Sequence, residues 1–110
     1  MSQRLHRHAD CLRVLSKANP KLRKAILSTA PNDLLKSICD CSHNVLKGNI
    51  RLTPGQKKGL SRHKSTLRAL GDKKIPLSKK RQTLVQKGGF LSLLLSPIIS
   101  AITSLFGGRK

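Results

Sequence analysis

At 110 residues the chain has room for one small domain with appendages, and its core must be modest. It carries 23 Lys and Arg against four Asp and no Glu, a formal net charge of +19. Such an imbalance opposes compaction and calls for a polyanionic partner, either nucleic acid or an anionic membrane. The four Asp are scattered and no Gly-rich phosphate loop precedes a helix, so enzyme chemistry is poorly supported and no catalytic residue, metal ligand or cofactor is assigned. Residues 1–50 hold nine Lys or Arg and three Asp, residues 51–87 twelve and one, and the remainder only Arg109 and Lys110. The N-terminus is charged and no apolar run follows, which does not read as a secretory signal. Three Cys, an odd number, then suggest reduced thiols in the cytosol or nucleus.

In chain order, a helix is expected from Gln3 to Ala18, with Leu5, Ala9, Leu12 and Leu15 on one face. Asn19-Pro20 ends it, because the residue before Pro avoids the helical region. A short helix follows over Lys21–Ser28, with Leu22 and Ile26 inward. The third, Asp33–Lys47, has the best apolar pattern of the body: Leu34, Leu35, Ile38, Cys41, Val45 and Leu46 follow the 3, 4, 7 spacing. Asn32 or Thr29 suits its cap, Asp33 suits the positive end of its dipole, and Gly48-Asn49 suits its end.

Thr53-Pro54-Gly55-Gln56 combines an N-cap Thr, Pro at the first helical position and Gln at the third, a capping-box start. The helix it opens is expected to reach Leu70, with Leu60, Leu67 and Leu70 inward, His63 near that face, and Gly71 as its end. Asp72–Leu77 reads as a linker. Ser78 suits the cap of a last short helix, Lys79–Gln86, before Gly88-Gly89. No stretch alternates with period two for long enough to form a strand. The fold class is all-α: a small basic helical domain over 1–71, a basic linker over 72–89, and a hydrophobic tail over 90–110.

That tail belongs to an uncharged stretch of 21 residues, Gly88–Gly108. At about 100° per residue, Ser92, Ser96, Ser100 and Thr103 form one stripe. Leu91, Leu94, Leu95, Ile98, Ile99, Ile102, Leu105 and Phe106 cover the other side. From Phe90 to Phe106 a helix would run about 25 Å at ~1.5 Å per residue, slightly short of a bilayer core of about 30 Å. Pro97 predicts a kink or two half-helices. Lying in a membrane interface fits better than spanning. The alternative is a helix buried against the rest of the protein, against which stands the small number of large apolar side chains elsewhere.

Residues 51–87 carry the strongest charge signal. Arg51, Lys57, Lys58, Arg62, Lys64, Arg68, Lys73, Lys74, Lys79, Lys80, Arg81 and Lys87 are the candidate DNA-binding residues, because cations neutralise phosphates and release counterions without reading sequence. No aromatic residue precedes Phe90, so the stacking used by single-strand binders is missing and duplex DNA is the better partner. Lys73-Lys74 and Lys79-Lys80-Arg81 also resemble a nuclear import signal, a weak pattern. Helices two and three make a poor helix-turn-helix, because the break between them is long and contains Pro. Cys39-x-Cys41-x-His43 has the wrong spacing for common zinc sites, and on a helix the two thiols point about 160° apart. Cys41 therefore reads as a core residue with Cys39 at the margin.

The junction Gly88-Gly89-Phe90-Leu91-Ser92-Leu93-Leu94-Leu95-Ser96-Pro97-Ile98-Ile99 resembles that of the adenovirus core protein mu precursors, in which a basic DNA-condensing segment is followed by Gly-Gly and a Pro-interrupted Leu/Ile stretch. Leu46-Lys47-Gly48-Asn49, Arg62–Leu70 and Val85-Gln86-Lys87-Gly88-Gly89-Phe90 are similar to small basic proteins of adintoviruses and Polinton (Maverick) elements. The resemblance implies a minor virion protein on packaged double-stranded DNA, found in the virion and the host nucleus. It implies further partners in a capsid protein or an anionic membrane. It also implies an adenain-type cysteine protease cleaving at Gly88, Gly89 and Phe90, after Gly89. Gln86 departs from the aliphatic residue that such proteases prefer there. The mu segment is also richer in Arg and less helical in pattern than residues 3–70. Two other classes stand beside this one. A membrane-active cationic peptide precursor of antimicrobial or toxin type explains the tail, and a chromosomal or ribosomal basic protein explains the charge alone.

Overall fold

The computed structural model describes residues 3–107, and the surroundings of side chains as far as Ala101. The described residues form eight α-helices and a 3-10 turn, with no strand among them. The all-α class is therefore what the chain adopts. The helices are α1 Gln3–Arg7, α2 Ala9–Lys17, α3 Pro20–Thr29, α4 Asn32–Leu46, α5 Pro54–Ser61, α6 Lys64–Gly71, α7 Leu77–Lys87 and α8 Leu91–Gly107, with the 3-10 turn at Gly88–Phe90.

Local chemistry sets most of the ends. The Asn19 side chain accepts from Leu22 N at 2.8 Å and Pro20 opens α3. At the start of α5, Gln56 N donates to Thr53 Oγ1 at 3.1 Å and Thr53 N to Gln56 Oε1 at 2.9 Å, the reciprocal capping box. Gly48 adopts φ +77°, where a Cβ is strained, and closes α4. Its N–H donates to Val45 O and that of Asn49 to Asn44 O, a Schellman pair.

Several boundaries differ from expectation. Gln3–Ala18 is two helices, broken at His8, and Pro54–Leu70 is two helices, broken near His63. Both histidines leave the helical region and both hold tertiary partners. His8 Nε2 lies 2.7 Å from Asp33 Oδ2, and the His63 ring is 5.5 Å from that of Phe90. Pro31, rather than Asn32 or Thr29, occupies the N-cap of α4, and Pro76, rather than Ser78, that of α7. Pro fixes the extended φ that a helix entry needs but supplies no side-chain acceptor. Of the two outcomes expected at Pro97, separate half-helices are excluded, because α8 runs through it unbroken.

The largest difference concerns the tail. Phe90, Leu91, Leu94, Leu95 and Ile98 are all buried, in one cluster with Leu5, Leu12, Leu15, Leu27, Leu35, Ile38, Leu60, Leu67, Leu70 and Leu84. The hydroxyl stripe of Ser92, Ser96 and Ser100 faces solvent. The radius of gyration, 13.0 Å, is that of a compact chain of this length, about 13 Å by the usual scaling, so residues 90–101 do not stand apart from the body. The expected shortage of apolar partners fails because each basic helix presents a narrow leucine stripe; α8 packs most extensively on α2 and also on α4 and α5, while α1, α6 and α7 pack on α4 and α3 packs on α7. A Cβ on Gly59 would lie 3.1 Å from Leu93 Cδ1, so the glycine lets α5 approach α8.

Two of the four Asp hold the N-terminus down. Arg4 donates to Asp33 at 3.1 Å and to Asp40 at 3.0 Å, and Arg7 to Asp33 at 3.0 Å, pinning α1 to α4. The His8 hydrogen bond, then Arg4 and Arg7, hold the Asp33 carboxyl below its ordinary 3.8, partly opposed by burial.

Leu95→Ala should destabilise the whole protein by about 2–5 kcal/mol in denaturant unfolding, while Ser96→Ala on the exposed face stays within about 0.5 kcal/mol. A tail independent of the body would leave both variants at wild-type stability. For Asp33, a lowered carboxyl contributes stability above its unfolded value, and that stability is lost as pH falls through the folded value. Asp33→Asn should therefore melt below wild type at pH 7, with the gap closing as pH drops under about 3.8. A gap that stays constant down to about pH 2 would refute the ion-pair assignment.

Candidate nucleic-acid interface

The twelve cations of residues 51–87 fall into two groups. Arg51, Lys57, Lys58, Arg62, Lys64, Arg68, Lys73, Lys74, Lys79 and Lys87 are exposed. Lys80 is buried at 9% exposure, and Arg81 is half-buried. The exposed ten sit on the outward sides of α5, α6 and α7 and on the loops before α5 and after α6. Among the described residues every ion pair involves Arg4, Arg7, His8 or Arg13, so none of the twelve is neutralised by a carboxylate. The single acid of the segment, Asp72, turns inward on the chain: its Oδ1 accepts from Lys74 N at 2.9 Å, a local turn contact.

Lys57 and Lys64 share a groove whose floor is Val45, Leu46, Leu52, Leu60 and Leu67. Their stems lie along an apolar surface, which suits ammonium heads held in solvent. No Phe is exposed among the described side chains, since Phe90 is 1% exposed. Base stacking therefore has no platform there, and phosphate contact is what the surface offers.

Arg81 belongs to the scaffold. Its Nη1 donates to Leu27 O at 2.9 Å and to Ser28 O at 3.5 Å, and its Nη2 to Asn32 Oδ1 at 3.2 Å. A cation on the last carbonyls of α3 offsets the negative end of that helix and ties α7 to the α3–α4 corner. As candidate DNA contacts, Lys80 and Arg81 are thus placed differently from the other ten, one by burial and one by its existing acceptors.

The Gly-Gly junction is a 3-10 turn with Gly89 exposed and both neighbours, Gly88 and Phe90, buried. A Cβ on Gly88 would meet Arg23 Nε at 3.1 Å, so this position packs closely against α3. A protease that needs an extended substrate would have to unfold this turn first. Of the tail residues expected to engage a membrane or partner, Phe90, Leu91, Leu94, Leu95 and Ile98 are in the core and Ile99 is half-buried. The side chains of Ile102, Leu105 and Phe106 lie outside the described residues. Leu77–Ala101 is long and apolar enough to cross a membrane by length and composition, and 44% of its most apolar window is buried inside the protein.

Cys41 is fully buried and Cys39 partly so, as the helical spacing suggested. Burial pushes both thiols up and disfavours the thiolate that metal binding needs. Among the described residues no three His, Cys or Asp side chains come together as a metal site.

Arg81→Ala should lower stability by about 1–3 kcal/mol in urea unfolding, the scale of hydrogen bonds from a charged group, while Arg68→Ala leaves it unchanged. Equal effects would remove the scaffold role from Arg81. Comparison with protein-family models, with curated proteins and with solved structures finds no match.

Proposed function

We propose that the chain is a minor virion or core protein that binds packaged double-stranded DNA and neutralises it without sequence specificity. The observation that carries this reading is the surface of residues 51–87, with ten exposed cations and, among the described residues, no carboxylate paired to any of them. Uncompensated charge on a folded surface is self-repulsive, and a polyanion relieves the repulsion while releasing its own counterions. Duplex is favoured over single strands by the lack of an exposed aromatic platform among the described side chains. The virion and nuclear setting rests on the resemblance of the Gly-Gly junction and the basic runs to adenoviral and Polinton proteins.

Within this reading the tail's first role is to complete the core that holds the cations in place. Contact of α8 with a membrane or a capsid protein, and protease cleavage after Gly89, would both require that helix to leave its seat. Cleavage would then remove Phe90, Leu91, Leu94, Leu95 and Ile98 from the core and loosen the body. The cationic membrane-active alternative needs the same side chains exposed, which the packing does not favour.

Duplex affinity should fall steeply with salt, the log–log slope being about −0.9 for each phosphate neutralised. Lys57→Ala together with Lys58→Ala should flatten that slope by about 1.8 if both contact phosphates, and weaken unrelated sequences equally. An affinity that barely changes between about 50 and 200 mM salt would exclude phosphate neutralisation.

A further inference from the structure

A cavity of about 480 Å³ opens where α1, α4, the end of α6, the loop after it and α7 meet. Its wall is basic. Lys36 reaches it from α4, Lys73 from the loop and Lys80 from α7, while Leu70, Ile75 and Leu77 give it an apolar lining. Arg4 and Asp40 also line it, but they are bonded to each other at 3.0 Å. The remaining charge is that of three lysines, and none of them forms an ion pair among the described residues.

Lys80 is the informative one. It is nine-tenths buried, and no carboxylate or side-chain acceptor is bonded to its ammonium among the described residues. The burial is that of the stem, and the ammonium keeps access to the water of the cavity, where an anion can reach it. The burial follows from helical spacing: Leu77, Lys80 and Leu84 share one face of α7, so the lysine stem packs with the core and its head is directed to the cavity it lines. Cys39, on the same wall, has its thiol pushed up by burial and adds no negative charge. α7 begins within the lining, at Leu77, and its first turn has no side-chain cap, so the positive end of its dipole adds to the lysines.

We propose that this cavity binds a compact polyphosphate, the phosphate groups of a small molecule, through Lys36, Lys73 and Lys80. Its volume is that of small-molecule sites, about 300–1,000 Å³. The depth of Lys80 separates it from the exposed surface of α5 and α6, where a duplex backbone is reached without entering a recess. The inference does not depend on duplex binding: Lys36 lies outside the duplex-binding set and Lys80 is set apart from it by burial, while Lys73 is common to both.

The test is calorimetric titration of the full chain with inorganic tripolyphosphate, with a duplex DNA titration alongside. The expected result is saturable binding at one site per chain. Lys80→Gln and, separately, Lys36→Gln should each weaken it by about tenfold or more, as for loss of a charge-assisted bond. Lys58→Gln on α5 should change it by less than about twofold, and Lys80→Gln should leave duplex affinity within the same range. Lys36 is exposed, so its variant keeps the fold and guards against a misfolded Lys80→Gln. Binding of many tripolyphosphates per chain, or equal losses from Lys58→Gln and Lys36→Gln, would overturn the site. An equal loss of duplex and tripolyphosphate affinity in Lys36→Gln would overturn the small-molecule assignment and give the cavity to a backbone phosphate. Failure of duplex binding with the tripolyphosphate site intact would count against the proposed function alone.

Discussion

Burial of the apolar faces of α4 and α8 is the constraint on which the rest of the molecule depends. The other helices each contribute only one or two leucines to the core; α1, α6 and α7 lay theirs on α4, and α2 and α5 on α8. Phe90, Leu91, Leu94, Leu95 and Ile98 complete the core from the α8 side. At about 1.5–3 kcal/mol per fully buried side chain, these five supply roughly 8–15 kcal/mol of gross burial. That is comparable with the entire net stability of a small domain, about 5–15 kcal/mol. Without α8 the apolar faces of α2, α4 and α5 lose their cover, and a chain of net charge +19 has strong reason to expand.

The same packing sorts the charges radially. Apolar faces point to α4 and α8, so Lys and Arg are driven to the outer sides of the helices. The scarce carboxylates then go where they hold structure. Asp33 and Asp40 fasten α1 through Arg4, Arg7 and His8, and Asp72 shapes a turn. Nothing acidic is left to offset α5, α6 and α7. The fourth, Asp10, pairs with Arg13 on its own helix, so the bare basic surface is a consequence of where the four acids lie, and it is what makes a polyanionic partner the natural complement.

Features fixed by neighbours in sequence were legible in advance. The capping box at Thr53, the left-handed Gly48 and the apolar spacing of α4 from Leu34 to Cys41 each rest on local chemistry, whereas Leu46 at the end of α4 and Leu22 on α3, both expected inward, are exposed. The breaks at His8 and His63 were not legible, because they answer to Asp33 and Phe90, which are distant in sequence. The tail's amphipathic face was read correctly from its serines, but its partner was not. Single leucines at helical spacing, Leu12 and Leu15 on α2 or Leu67 and Leu70 on α6, form stripes that pack on α8 and on α4 respectively, which a count of large apolar residues does not register. Lys79, Lys80 and Arg81 look alike as a basic run. The spacing of Leu77, Lys80 and Leu84 already places the middle one on an apolar face, and that signal was available in the sequence. The Asp33 hub had a similar one, since Arg4, Arg7 and His8 share one helix face.

Amide hydrogen exchange along the native chain tests the central claim most directly. A helix at the centre of the core opens only with the whole molecule. The account predicts that amides of Leu94, Leu95 and Ile98 are protected as strongly as those of Leu35 and Ile38 in α4, and that both sets exchange together as denaturant is added. Rapid exchange of α8 with α4 still protected would contradict it, and would make the tail a separate segment resting on a body that folds without it.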